Sequence, residues 1–118
     1  MVYLENIYHD LYELSNHDLQ KKAWQGLEPN YVSSYGELMC RLFDDDLFDE
    51  FVITICQKAA KNASLAEKLI ILQTKLNSYD DSGKEDIDIL NDPHWYVIID
   101  IAQDIVAHWH EYVQLYTE

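Results

Sequence analysis

Glycine and proline are scarce, three and two in 118 residues, and apolar positions recur at intervals of three and four instead of alternating. That is the helical period, and a strand-based fold is excluded. No apolar run approaches the ~20 residues that a membrane span requires. Met1-Val2-Tyr3-Leu4-Glu5-Asn6 lacks the basic start and apolar stretch of a secretory leader, so a soluble, cytoplasmic chain is expected. Only two cysteines occur, Cys40 and Cys56, and neither has a Cys or His at metal-ligand spacing. Both are expected as reduced thiols of the core. Cations are few as well: eight Lys and Arg against 22 Asp and Glu, a formal charge of −14. Such a surface repels a nucleic-acid backbone and an anionic membrane, and favours a basic partner. There is no Gly-rich phosphate loop, no Cys-x-x-Cys, no Gly-x-Ser-x-Gly and no His-Glu-x-x-His. The chain carries no catalytic signature, and neither an enzyme nor a cofactor is expected.

What is present is apolar and aromatic in quantity, 48% and 13%, which is too hydrophobic for a disordered acidic tail. The expectation is one all-α domain over residues 1–118, a bundle of about five to six helices. Tyr3, Ile7, Leu11 and Leu14 form a first stripe from about 3 to 14, broken at Ser15 and Asn16. A second helix covers about 17 to 25 and stops at Gly26. Ser34-Tyr35-Gly36-Glu37 and Ser64-Leu65-Ala66-Glu67 both fit the capping box and should open helices. Asp44, Asp45 and Asp46 could cap the helix that buries Phe48, Phe51, Val52 and Ile55. Residues 80–92 read as a loop with one short turn near 84–90. Asp92-Pro93 then starts the clearest helix, whose Trp95, Ile98, Ile99, Ala102, Ile105, Val106, Trp109, Tyr112, Val113 and Tyr116 keep heptad-like spacing for about six turns. This helix should be the spine of the bundle.

The charge is unevenly spread. Residues 41–50 hold five acids and Arg41, and residues 80–92 hold six acids and Lys84, so two short segments carry most of the excess. Residues 51–79, in contrast, carry four Lys and one Glu. Self-repulsion destabilises a compact state, so clustering of this kind needs a benefit outside the fold. Caps and a solvated loop would be the plain explanation. A docking surface for a cationic partner is the functional one, with Asp44, Asp45, Asp46, Asp49 and Glu50 on one segment and Asp80, Asp81, Glu85, Asp86 and Asp88 on the other. Tyr35, Phe48, Tyr79 and Tyr96 are candidate aromatic anchors if exposed.

Other constellations carry less. Asp100, Asp104, His108 and Glu111 fall on one stripe of the last helix, where a metal-dependent helical-bundle enzyme could place ligands. No other segment supplies the matching Glu-x-x-His that a di-metal bundle site uses, and a solvated face accounts for the row. His9-Asp10, His17-Asp18 and His94 have no visible nucleophile or orienting partner. A DNA mimic or adaptor that sequesters a nucleic-acid-binding protein shares the charge argument, although two compact clusters are not an extended ladder.

Leu19-Gln20 and Trp24, then Ser33-Ser34-Tyr35-Gly36-Glu37-Leu38, then Leu42-Phe43-Asp44-Asp45-Asp46 together resemble the front half of small acidic immunity proteins encoded beside polymorphic toxins, including those of contact-dependent growth inhibition. The likeness covers roughly residues 8 to 52. It implies a non-enzymatic antidote that binds a cognate toxin domain, often a basic nuclease, and covers its active site. Carboxylates would then occupy the phosphate positions of the cleft without offering a cleavable bond.

Overall fold

The computed structural model describes residues 2–118, with Lys61 as backbone only, and those residues contain helices and turns but no strand. Eight α-helices follow one another: α1 (Leu4–Leu14), α2 (His17–Trp24), α3 (Tyr35–Cys40), α4 (Phe48–Gln57), α5 (Ala63–Ser78), α6 (Asp86–Leu90), α7 (Pro93–Ala107) and α8 (Trp109–Thr117). A π-helical turn, Arg41–Asp45, joins α3 to α4, and a 3-10 turn, Ala59–Lys61, leads into α5.

Local chemistry sets most of the boundaries. Asn16 caps α2, its Oδ1 accepting the Leu19 N–H at 3.0 Å, and Gly26 takes the left-handed φ of +73° just beyond that helix. Ser34 Oγ accepts the Glu37 N–H at 3.0 Å, so the first half of the expected box forms, while Glu37 does not return the bond. The Ser64–Glu67 box is not used: α5 starts earlier, at Ala63, and Asn62 ahead of it makes no side-chain cap. At α7, Asp92 Oδ1 accepts the His94 N–H at 2.9 Å, and Pro93 occupies the first helical position.

The central element is α7, which packs on both α1 and α5, while α4 lies across α5 and α8. Between them, Ile7, Leu11, Leu14, Leu38, Leu42, Phe48, Phe51, Ile55, Leu69, Leu72, Trp95 and Tyr112 are fully buried. Each buried Leu or Ile contributes roughly 2 kcal/mol of transfer free energy. The Tyr112 hydroxyl, buried with them, donates to Leu65 O at 2.9 Å.

Two sequence expectations need correction. The helix count is eight because the short turn expected near 84–90 is a helix of its own, α6, and because the spine is interrupted: His108 has φ −110° and ψ 19°, its Nδ1 donates to Asp104 O at 2.8 Å, and α8 restarts at Trp109. The apolar period continues through that break, so pattern alone reads one helix. Of the two thiols, both free, Cys56 is half-buried and packs against the core, whereas Cys40 is exposed and is not a core group.

Candidate functional site

The two acidic segments are linked through α3 and α5. Asp49, in the first turn of α4, accepts from Gln73 Nε2 at 2.7 Å, and α5 runs on from Gln73 to Ser78, about 8 Å at 1.5 Å per residue, before reaching Asp80. On the other side, Tyr35 opens α3 and packs on Tyr79 with ring centroids 6.0 Å apart. Burial, then the nearby Asp81 charge, pushes the Tyr35 hydroxyl up to about 12. The π-turn carrying Asp44 and Asp45 follows α3 directly.

The ten sequence-predicted carboxylates differ in what they do. Asp44, Asp45, Glu50 and Asp81 are exposed and Asp86 is half-buried, and their side chains make neither a hydrogen bond nor an ion pair among the described residues. Others serve the fold. Asp80 Oδ1 accepts the Ser82 N–H at 3.0 Å, which lowers its pKa. Glu85 and Asp88 form a reciprocal capping box at α6, with Asp88 Oδ2 2.9 Å from the Glu85 nitrogen. Asp46 departs most from expectation: it is only 5% exposed and caps nothing, since Leu47 precedes α4 without a side-chain bond.

Asp46 is drawn inward by the π-turn. Its N–H bonds to Arg41 O at 2.7 Å, five residues back, and the wider turn rotates its side chain toward α1. Leu47 then takes a left-handed φ of +56°, a costly conformation for a residue with a Cβ, to redirect the chain. Asp46 lies beside the Asp10 carboxylate, on the same cavity wall. Burial first, then the bond to Asp10 and the charges of Asp10 and Asp45, raise Asp46 to about 7, against the lowering effect of Arg41. Its Oδ2 has no hydrogen-bond donor.

Behind this pair lies a buried polar cluster. Asp10 and Glu13 sit on the inward arc of α1 among Ile7, Leu11 and Leu14, 2% and 0% exposed. Arg41 ties them together, with Nε 3.0 Å from Asp10 Oδ1 and Nη2 3.0 Å from Glu13 Oε1. Glu13 also accepts the indole N–H of Trp24 at 3.1 Å, Ser33 Oγ at 2.7 Å and the Tyr31 hydroxyl. Burial, then the bond to Glu13, raises the Tyr31 hydroxyl to about 12. At its outer edge the cluster opens into a cavity of about 330 Å³ lined by His9, Asp10, Tyr31, Arg41, Asp45 and Asp46. Asp10, Glu13, Tyr31 and Arg41 do not stand out as a unit in the sequence. Acids spaced three apart within an apolar stripe were the available signal.

Further expectations fail on placement. Phe48 is 0% exposed and cannot be a surface anchor. Tyr35 and Tyr79 are half-buried against Trp95, and Tyr96 is exposed beside His17. In the Asp100, Asp104, His108, Glu111 row, Asp104 pairs with Lys68 at 2.9 Å, and His108 breaks the helix on which the row depends. Among the described residues no three His, Cys, Asp or Glu side chains converge on a metal position. No helix among them is long and apolar enough to cross a membrane. No protein-family model, curated protein or solved structure matches the chain.

Proposed function

We propose that the protein is an immunity-type inhibitor that binds a basic toxin domain, a nuclease, and blocks it by covering its active site. The observation that carries this reading is a group of exposed carboxylates with no partners of their own, Asp44, Asp45 and Glu50 beside the π-turn and Asp81 in the loop after α5, on segments bridged by α3 and α5. Carboxylates that neither cap a helix nor pair with a cation add self-repulsion to a chain already at −14, and a cationic partner relieves it. The likeness of residues 8 to 52 to acidic immunity proteins supports the choice of a toxin as that partner.

The mechanism is occlusion. A nuclease cleft holds positive charge to bind phosphates, and a rigid helical face presenting carboxylates competes for the same groups. An interface of about 800 Å² per partner is the ordinary requirement. The experiment is co-expression with the toxin encoded by the neighbouring gene, followed by copurification and a nuclease assay. A complex that forms at low salt, suppresses cleavage and weakens sharply by 0.5 M salt is the expected result. Binding that survives both 0.5 M salt and reversal of the exposed carboxylates overturns the electrostatic mechanism.

A further inference from the structure

We propose that the cavity between α1 and the π-turn is a receptor for a single guanidinium group, an arginine side chain of the basic partner, held by Asp45 and Asp46. The proposal rests on the partner-binding reading for the source of the arginine, but the site is argued from its own geometry.

Three observations meet there. The cavity has a volume of about 330 Å³, room for about ten waters at ~30 Å³ each, and therefore for one long side chain with its remaining hydration. The Asp46 carboxyl in its wall is 5% exposed, and one of its oxygens has no donor. A buried acceptor in that condition favours a donor from outside. Finally, local charge does not balance. Arg41 is the one cation inside the cluster and is already shared between Asp10 and Glu13. With Asp45 and Asp46 ionised, the cluster carries more carboxylates than it can neutralise.

A guanidinium suits this wall better than an ammonium. It presents a planar fork of donors that can span two carboxylates, is weakly hydrated, and stacks on aromatic rings. Tyr31 and His9 lie edge to face, 5.8 Å between centroids, on the same cavity. His9 is exposed at the mouth, and its Nδ1 is 3.9 Å from Asp10 Oδ1.

The same groups make binding depend on protons. Asp46 faces Asp10 from α1 and Arg41 and Asp45 from its own turn, with His9 and Tyr31 across the cavity and Glu13 behind Arg41. With a proton between Asp46 and Asp10, the pair satisfies itself and the guanidinium loses a counter-charge. Loss of that proton frees the site. Binding therefore strengthens as pH rises through about 7 and releases a proton.

The test is an NMR titration of the whole protein with N-acetylarginine amide, reading the side-chain carboxyl carbons and backbone amides, with the citrulline analogue as an uncharged match in shape. Expected are saturable shifts at Asp46, Asp10 and Tyr31 with the arginine probe alone, and binding about tenfold weaker at pH 6 than at pH 8. Asp46→Asn and Asp45→Asn should each weaken binding at least fivefold while keeping native shift dispersion, and Asp49→Asn, outside the cavity, should leave it unchanged. Equal binding of both probes, no saturable shift, or unaltered binding in Asp46→Asn overturns the site. That failure is separable from failure of the proposed function, since a partner could still be captured through Asp44, Glu50 and Asp81. A captured partner that leaves probe binding unaltered overturns the assignment to a partner's arginine.

Discussion

Gln20 Oε1 accepts the indole N–H of Trp95 at 2.9 Å, a buried bond across 75 residues that fastens α2 to the central helix. The same side chain turns its amide the other way, donating to Glu13 O at 2.8 Å and Leu14 O at 3.0 Å, two carbonyls at the end of α1, of which Glu13 O also accepts the Asn16 N–H at 3.1 Å. One fully buried residue thus satisfies three buried groups. Gln20→Leu keeps the volume but orphans the Trp95 indole N–H and Leu14 O, while Glu13 O keeps the Asn16 N–H. The expected cost is about 2–4 kcal/mol, since each unsatisfied buried group costs about 1–3 kcal/mol and some will recover water. Urea unfolding followed by tryptophan fluorescence measures it. A loss below about 1 kcal/mol would mean that water already reaches these groups.

Glu13 supports more donors than any other side chain, and the prediction for it is correspondingly severe. Glu13→Ala strips the acceptor from Trp24, Tyr31 and Ser33 and leaves the Arg41 guanidinium with one carboxylate. Breaking a buried charge pair by removing one member costs about 3–5 kcal/mol. Glu13→Gln keeps one acceptor oxygen but turns an amide toward donors, and should fall between wild type and Ala. Calorimetric midpoints of the three proteins give the order directly. If Gln is as damaging as Ala, charge on Glu13 matters more than hydrogen-bond count.

Asp46 makes stability depend on pH in an uncommon direction. The folded protein holds the Asp46 proton up to about 7, whereas an unfolded chain releases it near 3.8. The folded state therefore binds more protons between those values, and stability falls as pH rises from about 4 to about 7. Asp80 and Asp92 run the other way: hydrogen bonds lower both, first from the Ser82 backbone and from the Tyr79 hydroxyl respectively, so their contribution is lost in stronger acid. Asp46→Asn supplies a permanent N–H toward Asp10 and should flatten the slope, leaving the variant more stable than wild type by about 1–3 kcal/mol at pH 8. Denaturant midpoints at pH 5, 6, 7 and 8 decide it. A wild-type profile already flat over that range sinks the shared-proton account.

The sequence made the core and several of the caps legible, though not those expected at Ser64 and at Asp44 to Asp46, because they depend on neighbours in the chain. Ser34, Gly26 and Asp92-Pro93 act within four residues of themselves, and the stripes of α1, α5 and α7 follow a fixed period. Asp46 was not legible. Three consecutive aspartates look equivalent as letters, and what sets the third apart is a hydrogen bond that reaches back five residues instead of four, between the buried Leu42 and Phe48. Arg41 was hidden for a related reason. Its partners Asp10 and Glu13 lie 31 and 28 residues away, and only the fold brings them near. The break at His108 escaped because Ile105 before it and Trp109 and Tyr112 after it remain in period.

Reversal of one exposed carboxylate on each acidic segment separates recognition from folding. Asp44→Lys and Asp81→Lys remove no hydrogen bond or ion pair and together take the formal charge from −14 to −10. Isolated surface changes of this kind stay within about 0.5 kcal/mol in stability, and relief of self-repulsion biases them toward a gain. Their effect on association should be much larger. Charges at the rim of an interface act mainly on the rate of encounter, so each reversal should slow association with the basic toxin domain by about fivefold at 50 mM salt. The effect should shrink by 300 mM, where the Debye length is shorter than the ~10 Å that holds at 0.1 M. If one partner meets both segments, which α3 and α5 link, the double variant should be slowed by the product of the single effects. Stopped-flow association of the two singles and the double at both salt concentrations is the measurement. If Asp81→Lys leaves the rate unaltered while Asp44→Lys lowers it, the partner contacts the π-turn alone, and the loop after α5 is only a solvated turn.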